Sequence, residues 1–509
     1  RASGVYHTHT RTMSGKGGGG AKAGGAKDGD ASASSIDANL DELFTRLAEA
    51  VRDGNHKKAL KESEGILKAS PGDDDAIRCK VVALVELARY DQAIECVTTA
   101  ASAPLKAAMA FEHAYSLYRA NKVTDALAVL GSDTTQATSF RGLQLRAQLL
   151  YRDGQAEASA KIYEQLFTER AKEVAAVPTL CTNLAAAVVA AGRAAELPAM
   201  LKRFKISPKA SFELAFNVAC GLIETNELGD AEDYLLLSKR QGKETLLDDE
   251  LGEEEIEDEL LPVTVQTAYV QALKGRAEDA AEAYLEVLAL KTTDAAAQAV
   301  AANNLAAMVG PRGKGGADAC KRVEKMAAPN GTLAEGLVSS MSESQRIAIV
   351  KNRAVALLHS NHLDKCRESL GALKALPGST GAAVLIEAAL LMRERAPDKA
   401  EELLASFARG GASASSTRHV EDVREAQLMR AQIAASAGEF TKAIEALRAV
   451  PDDGSFQSAP ARAATLVALY ELAGDTAGAD AVLEEMGGAT AGGGGMAVDG
   501  DAMPAEVML

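Results

Sequence analysis

Four short stretches set the reading of the whole chain: RDGNHKKA at residues 52–59, LARYDQA at 87–93, ANKVTDA at 120–126 and RDGQAEA at 152–158. Each is a polar turn that closes on alanine, with apolar runs before and after it. The closing alanines, Ala59, Ala93, Ala126 and Ala158, follow one another at a nearly constant interval. The pattern returns in ETNELGDA (224–231), LKGRAEDA (273–280), HSNHLDKC (359–366), RERAPDKA (393–400), SAGEFTKA (436–443) and LAGDTAGA (472–479), and the step from Cys366 to Ala400 equals that from Ala59 to Ala93. Apolar residues at helical spacing on both sides of a polar turn predict paired antiparallel helices. A small residue near the start of the second helix suits that pairing, because a larger substituent at Cβ would push the two helices apart.

The interval matches the period of the tetratricopeptide repeat, about 34 residues. Pro71, after ILKAS, closes the first unit as the motif's terminal proline does. Two less regular units fill residues 178–204 and 298–326. The chain is therefore predicted to be an all-α tetratricopeptide-repeat superhelical solenoid of about twelve helix pairs. It should occupy residues 36–486, between a disordered Gly/Ala/Lys-rich tail at 1–35 and a disordered Gly-rich tail at 487–509. Two inserts interrupt the period. The first, at about 242–260, contains DDELGEEEIEDEL (248–260) and is expected to be a solvated loop, or else a docking strip for a basic partner. The second, at about 310–344, is Gly/Ser-rich and expected to be flexible, as is GGASASST at 410–417.

Composition agrees. Among 509 residues, 47% are hydrophobic, 4% aromatic and none is Trp, which favours Ala- and Leu-rich helices over pleated sheets. The consensus repeat Trp is accordingly replaced in every unit. A net charge of −16 argues against a fold that coats nucleic acid. Six cysteines without a C-x-x-C pair suggest reduced thiols and a cytoplasmic setting. No apolar run reaches membrane-spanning length, so membrane insertion is not expected. Translation is expected to start at Met13, with the first twelve residues as leader.

Catalytic chemistry finds no support. GPRGKGG (310–316) lacks the first glycine and the Ser/Thr of a phosphate loop, with Met308 and Gly315 in their places. His359 and His362 fall in a turn without further ligands, so neither metal nor other cofactor is expected and the protein is read as no enzyme. Repeat arrays instead offer a concave groove lined by the first helix of each pair. Asn183, Asn217, Asn303 and Asn352 fall at one position of that helix and form a candidate ladder for a partner's backbone, since an amide both donates and accepts. The alternative is that they satisfy local helix groups. Earlier, Phe44, Arg78, Phe111, Tyr115 and Phe140 fall at concave positions of the first four pairs, a channel suited to apolar anchors or else inter-repeat core.

With these residues placed, SFELAFNVACGLIETNELGDAEDYL (211–235), LPVTVQTAYVQALKGRAEDAAEAYLEVLALKTTDAAAQAVAANNLAAM (261–308) and KNRAVALLHSNHLDKCRESL (351–370) carry a further likeness. Together with the repeat order and the acidic insert, the chain from about 38 to 486 resembles the seventy-two-kilodalton subunit family of the eukaryotic signal recognition particle. The resemblance implies a cytosolic scaffold in co-translational targeting of secretory proteins to the endoplasmic reticulum. Its partner would be the particle's sixty-eight-kilodalton subunit, whose C-terminal segment would lie in the groove of the N-terminal repeats. The ribosome would be met through the assembled particle. Family members continue into a Lys-rich segment with a Pro- and Trp-containing motif that contacts the particle's RNA. The sequence in hand ends in a Gly-rich acidic stretch, so RNA contact is expected only indirectly or through a C-terminal segment beyond these residues. A general peptide-binding adaptor is the alternative. A carboxylate-gripping chaperone adaptor needs Lys and Asn where Phe44 and Ala48 stand, and an RNA-processing scaffold needs a basic stripe on helices that are here largely neutral.

Overall fold

The computed structural model describes residues 33–132, 138–310, 313–338, 340–410, 417–451 and 459–491. Among them the regular structure is helical, apart from one isolated antiparallel bridge between Ala327 and Leu333. The helices fall into two compact units, Arg1–Ala317 with Glu335–Gln345, and Asp318–Ala334 with Arg346–Leu509.

In the first unit the antiparallel pairs are Ala33–Arg52 with His56–Ala69, Asp74–Glu86 with Tyr90–Thr99, Ala110–Arg119 with Val123–Ser132, and Phe140–Arg152 with Ala156–Glu169. They continue as Thr179–Ala190 with Leu197–Arg203, Phe212–Glu224 with Leu228–Asp248, and Leu261–Leu273 with Ala277–Ala289. In the second unit Leu363–Lys374 pairs with the part of Glu343–His359 that starts at Arg346, Pro397–Gly410 with Thr380–Arg393, Phe440–Arg448 with Thr417–Ser436, and Thr476–Ala491 with Ala459–Leu472. Ala295–Val309 and Gly316–Lys325 stand in sequence where one more pair is due. The first helix starts a few residues ahead of the expected boundary at 36 and the last runs a few residues past 486. The remainder of both tails lies outside the described residues, as do residues 411–416 of the GGASASST stretch.

One local device generates the pairing. The fourth residue of the second helix is small and almost without exposed surface in most pairs, at Ala59, Ala93, Ala126, Ala231, Ala280, Cys366, Ala400, Ala443 and Ala479, whereas the less regular fifth pair has Met200 there. In the fourth pair that place belongs to Ser159, not to Ala158 as the turn alignment suggests. Ser159 is fully buried and its hydroxyl donates to the Ala147 carbonyl at 2.8 Å, just as the Cys366 thiol reaches the Ala354 carbonyl at 3.6 Å. Five residues before each small residue the backbone turns left-handed, at Gly54, Ala88, Asn121, Gly154, Asn226, Gly275, Asn361, Arg395, Gly438 and Gly474. That residue ends the first helix in an αL cap and aims the chain back along it. Ala88 at φ +57° and Arg395 at φ +59° hold this conformation despite a Cβ.

Both inserts carry more structure than the sequence suggests. The helix from Leu228 runs through Asp248, and Glu253–Glu259 forms a second helix within the acidic run. Leu246, Ile256 and Leu260 are buried, and Gly242 leaves room for Leu260 and Phe212. The acids face water while apolar residues at helical spacing seat the segment, so it is not a loop. Asp258 fastens it further, accepting from the Thr293 amide and hydroxyl at 3.1 and 2.7 Å and from the Thr292 hydroxyl. The second insert, expected to be flexible at about 310–344, holds the helix Gly316–Lys325, the bridge and a short helix Glu335–Val338.

Recurrent ion pairs join neighbouring repeats. Glu164 with Arg193, Glu324 with Arg353 and Glu401 with Arg430 share one sequence separation and close at 2.8, 2.9 and 2.7 Å. Arg353 is buried and also donates to the Ser369 hydroxyl. Burial disfavours the Glu324 charge, but hydrogen bonds from Arg353 and Lys365 outweigh it and hold the carboxyl below its usual range. Among the described residues no helix is long and apolar enough to cross a membrane.

Candidate partner-binding surface

The third repeat starts from a helix, Ala110–Arg119, whose sequence AFEHAYSLYR places aromatic rings one turn apart. Ala110, Ala114 and Leu117 go into the core. The face that remains carries Phe111 and Tyr115, each half-buried. Their rings stack with centroids 6.3 Å apart and planes 12° from parallel. Tyr90, from the preceding pair, meets Tyr115 edge-on at 6.3 Å, and Tyr118 closes the group at the same distance from Tyr115.

Three arginines lie on these rings. The Arg119 guanidinium sits 4.7 Å from the Tyr90 ring centre and donates to the Tyr115 hydroxyl at 2.9 Å. Arg141, exposed on the next repeat's first helix, lies 4.1 Å over Phe111. Arg152 lies 4.6 Å over Tyr118 and donates to its carbonyl at 3.3 Å. Burial raises the Tyr118 phenol's pKa, which Arg152 partly counters, so the ring stays neutral. Burial, and then the nearby Lys106, lower the pKa of His113 on the same helix. The result is a half-exposed aromatic patch edged with cations, on a chain whose net charge is −16. Such a patch suits an apolar anchor flanked by carboxylates.

The other expected groove residues do not gather here. Phe44 is half-buried against the cluster of Leu47 and Ala50, two repeats earlier. Phe140 packs on the cluster containing Tyr163 and Leu166, and Arg78 is exposed on Asp74–Glu86. Tyr90, Arg119, Arg141 and Arg152 were not singled out by the sequence. The signal that could have found them is the tyrosine-to-arginine spacing of four between Tyr115 and Arg119, which places both on one helix face.

The asparagine ladder is corrected by burial. Asn183 and Asn217 have no exposed surface and Asn303 is 2% exposed, so none of the three faces a groove; Asn352 is half-buried. The Asn217 amide donates to the Thr182 carbonyl at 3.0 Å and ties consecutive first helices together. The Asn303 amide donates to Asn304, whose own amide donates to the Tyr284 hydroxyl at 3.2 Å. Asn183 plays the matching part beside Tyr163, whose phenol burial pushes well above the usual range and the asparagine partly restores. In both cases the tyrosine precedes its asparagine by the same twenty positions. The amides of Asn217 and Asn304 satisfy polar groups inside the stack. His359 and His362 are exposed at the turn, as their spacing suggested.

No protein-family model matches the chain. It is similar to the signal recognition particle subunit SRP72 of Homo sapiens, with 29% identity over 430 residues, covering 84% of this chain and 60% of that protein. It is likewise similar to SRP72 of Dictyostelium discoideum, at 28% identity over 448 residues, 86% of this chain and 64% of the relative. The chain is thus a sequence relative of the SRP72 subunits, and spans about three fifths of the length of those it matches. Among solved structures, the Cut9–Hcn1 complex of APC/C superposes over 89% of the chain at 13% identity, with a TM-score of 0.40, too loose to bear on function.

Proposed function

We propose that this relative of the SRP72 subunits is the repeat part of a signal recognition particle scaffold, holding an extended segment of a partner protein against the aromatic and arginine patch of its first repeats. The partner that the likeness favours is the particle's sixty-eight-kilodalton subunit, through its C-terminal segment. The observation that carries the reading is the patch itself: three half-buried rings, Tyr90, Phe111 and Tyr115, backed by the buried Tyr118 and edged by three guanidiniums, drawn from Tyr90–Thr99, Ala110–Arg119 and Phe140–Arg152. A repeat stack pre-arranges such a surface, so only the partner's segment has to be ordered on docking. Aromatic burial offsets that entropy, and the arginines select carboxylates at the anchor's flanks. The role is binding and placement, not catalysis. Contact with the particle's RNA and with ribosomes would follow from the assembled particle.

Calorimetric titration of the chain with the partner's C-terminal segment tests this. Saturable binding that is lost when Phe111 and Tyr115 are replaced supports the reading. Binding that the replacement leaves intact would return the patch to inter-repeat packing and the chain to a general peptide-binding adaptor.

A further inference from the structure

The turn of the fourth pair carries a contact that its counterparts lack. The turns at residues 52–54 and 152–154 share the sequence Arg-Asp-Gly and the same backbone, with Gly54 at φ +67° and Gly154 at φ +79°. A Cβ added at Gly54 would meet nothing within 4 Å, and the same holds at the turn glycines Gly275, Gly438 and Gly474. At Gly154 it would come 2.8 Å from Glu343 Oε2. Glu343 comes far later in the chain, yet Glu335–Gln345 belongs to the same compact unit as the repeats up to Ala317.

A local frame delivers this carboxylate. The Ser342 hydroxyl accepts from the Gln345 amide at 3.3 Å, and Gln345 Oε1 accepts from the Ser342 amide at 2.9 Å, a capping box that opens the helix Glu343–His359. Met341 and Gln345, on either side, are only 6% and 9% exposed, so the segment is seated against protein. A Cβ at position 154 would displace the Glu343 carboxylate from the place it takes against the bare glycine.

We propose that residues 340–345 form an internal clasp, with Glu343 docking on the bare Gly154 turn to tie the far end of the first unit to its fourth repeat. The turn follows directly on Arg152, whose guanidinium lies over Tyr118, so the clasp steadies one edge of the aromatic and arginine patch. This stands whether or not the patch binds the proposed partner.

Amide hydrogen exchange on the full chain, wild type against Glu343→Ala, tests the clasp. The amides of Asp153, Gly154 and Gln155 bond to the Leu149, Tyr151 and Leu150 carbonyls at 2.9, 3.2 and 2.9 Å and report on this turn. Their exchange should accelerate about threefold to fivefold as the turn opens locally without the carboxylate packed on it. The amides of Asp53, Gly54 and Asn55 at the matching open turn should keep their rates. Unchanged exchange at 153–155 overturns the clasp. So does equal acceleration at 53–55, which would mean general loosening of the unit.

Discussion

The aromatic patch of the third repeat and the asparagine core of the middle repeats are built by the same helix pairing yet assign polarity in opposite ways. In the third repeat the Phe111 and Tyr115 rings are left half open and cations lie over them. In the repeats containing Asn183, Asn217 and Asn303 the amides are inside, where Asn217 meets a carbonyl and Asn303 another amide. Position within a repeat therefore does not decide function by residue type alone. What decides it is whether the neighbouring repeat already supplies a partner. The asparagines are spoken for within the stack, whereas the rings keep one face open to solvent.

The largest effect expected from breaking this contrast is on binding. Replacing Phe111 and Tyr115 together by Ala should weaken the partner segment by about 2–4 kcal/mol, roughly 30- to 900-fold in Kd by calorimetry. Asn217→Ala should behave inversely. Losing this buried bond, on a Thr182 carbonyl that keeps its helical donor, should cost about 0.5–1.5 kcal/mol of stability in urea unfolding, with no change in affinity for the segment. An affinity loss there would mean that the asparagines do reach the groove.

Two smaller effects sharpen what the regions share. Hydrogen bonds from Lys274 and Arg276 hold the Glu232 carboxyl below its usual range. Its stabilising contribution is therefore complete above the unfolded glutamate pKa of about 4.3 and is lost as pH falls through the lower folded value. Glu232→Gln should flatten the dependence of thermal unfolding on pH in that acidic window, by at most about 1 kcal/mol because the partners are partly exposed. Arg395→Gly should stabilise the second unit by about 0.5 kcal/mol, since glycine relieves the left-handed strain but also loosens the unfolded chain. Ala88→Gly offers the same test in the first unit by thermal unfolding.

Much of the architecture is legible in the turns. A small residue recurring at the repeat interval predicts paired helices, and the pairs form where the turns place them. The one-residue slip at Ala158 arose because the turn alignment rewards alanine, while packing accepts any small residue, and Ser159 additionally bonds the facing carbonyl. The acidic run reads as a loop because charge dominates its composition, yet Ile256 and Leu260 sit one turn apart and anchor it. The groove was legible only in part. Phe111 and Tyr115 are four apart on one helix and their adjacency follows from geometry, but Arg141 and Arg152 arrive from the next repeat. Asn303 was matched by its distance from a turn. The Tyr284 hydroxyl is met by its neighbour Asn304, because the buried hydroxyl and not the turn fixes which amide is used.

The central claim is that the partner segment lies on the patch around Phe111 and Tyr115. Site-specific photo-crosslinking tests it directly, with a benzophenone side chain placed at the exposed position of Arg141, beside Phe111, or at the exposed position of Leu236 on Leu228–Asp248. Efficient crosslinking of the bound segment from position 141 and none from 236 is expected. Crosslinks from 236 with none from 141 would contradict it.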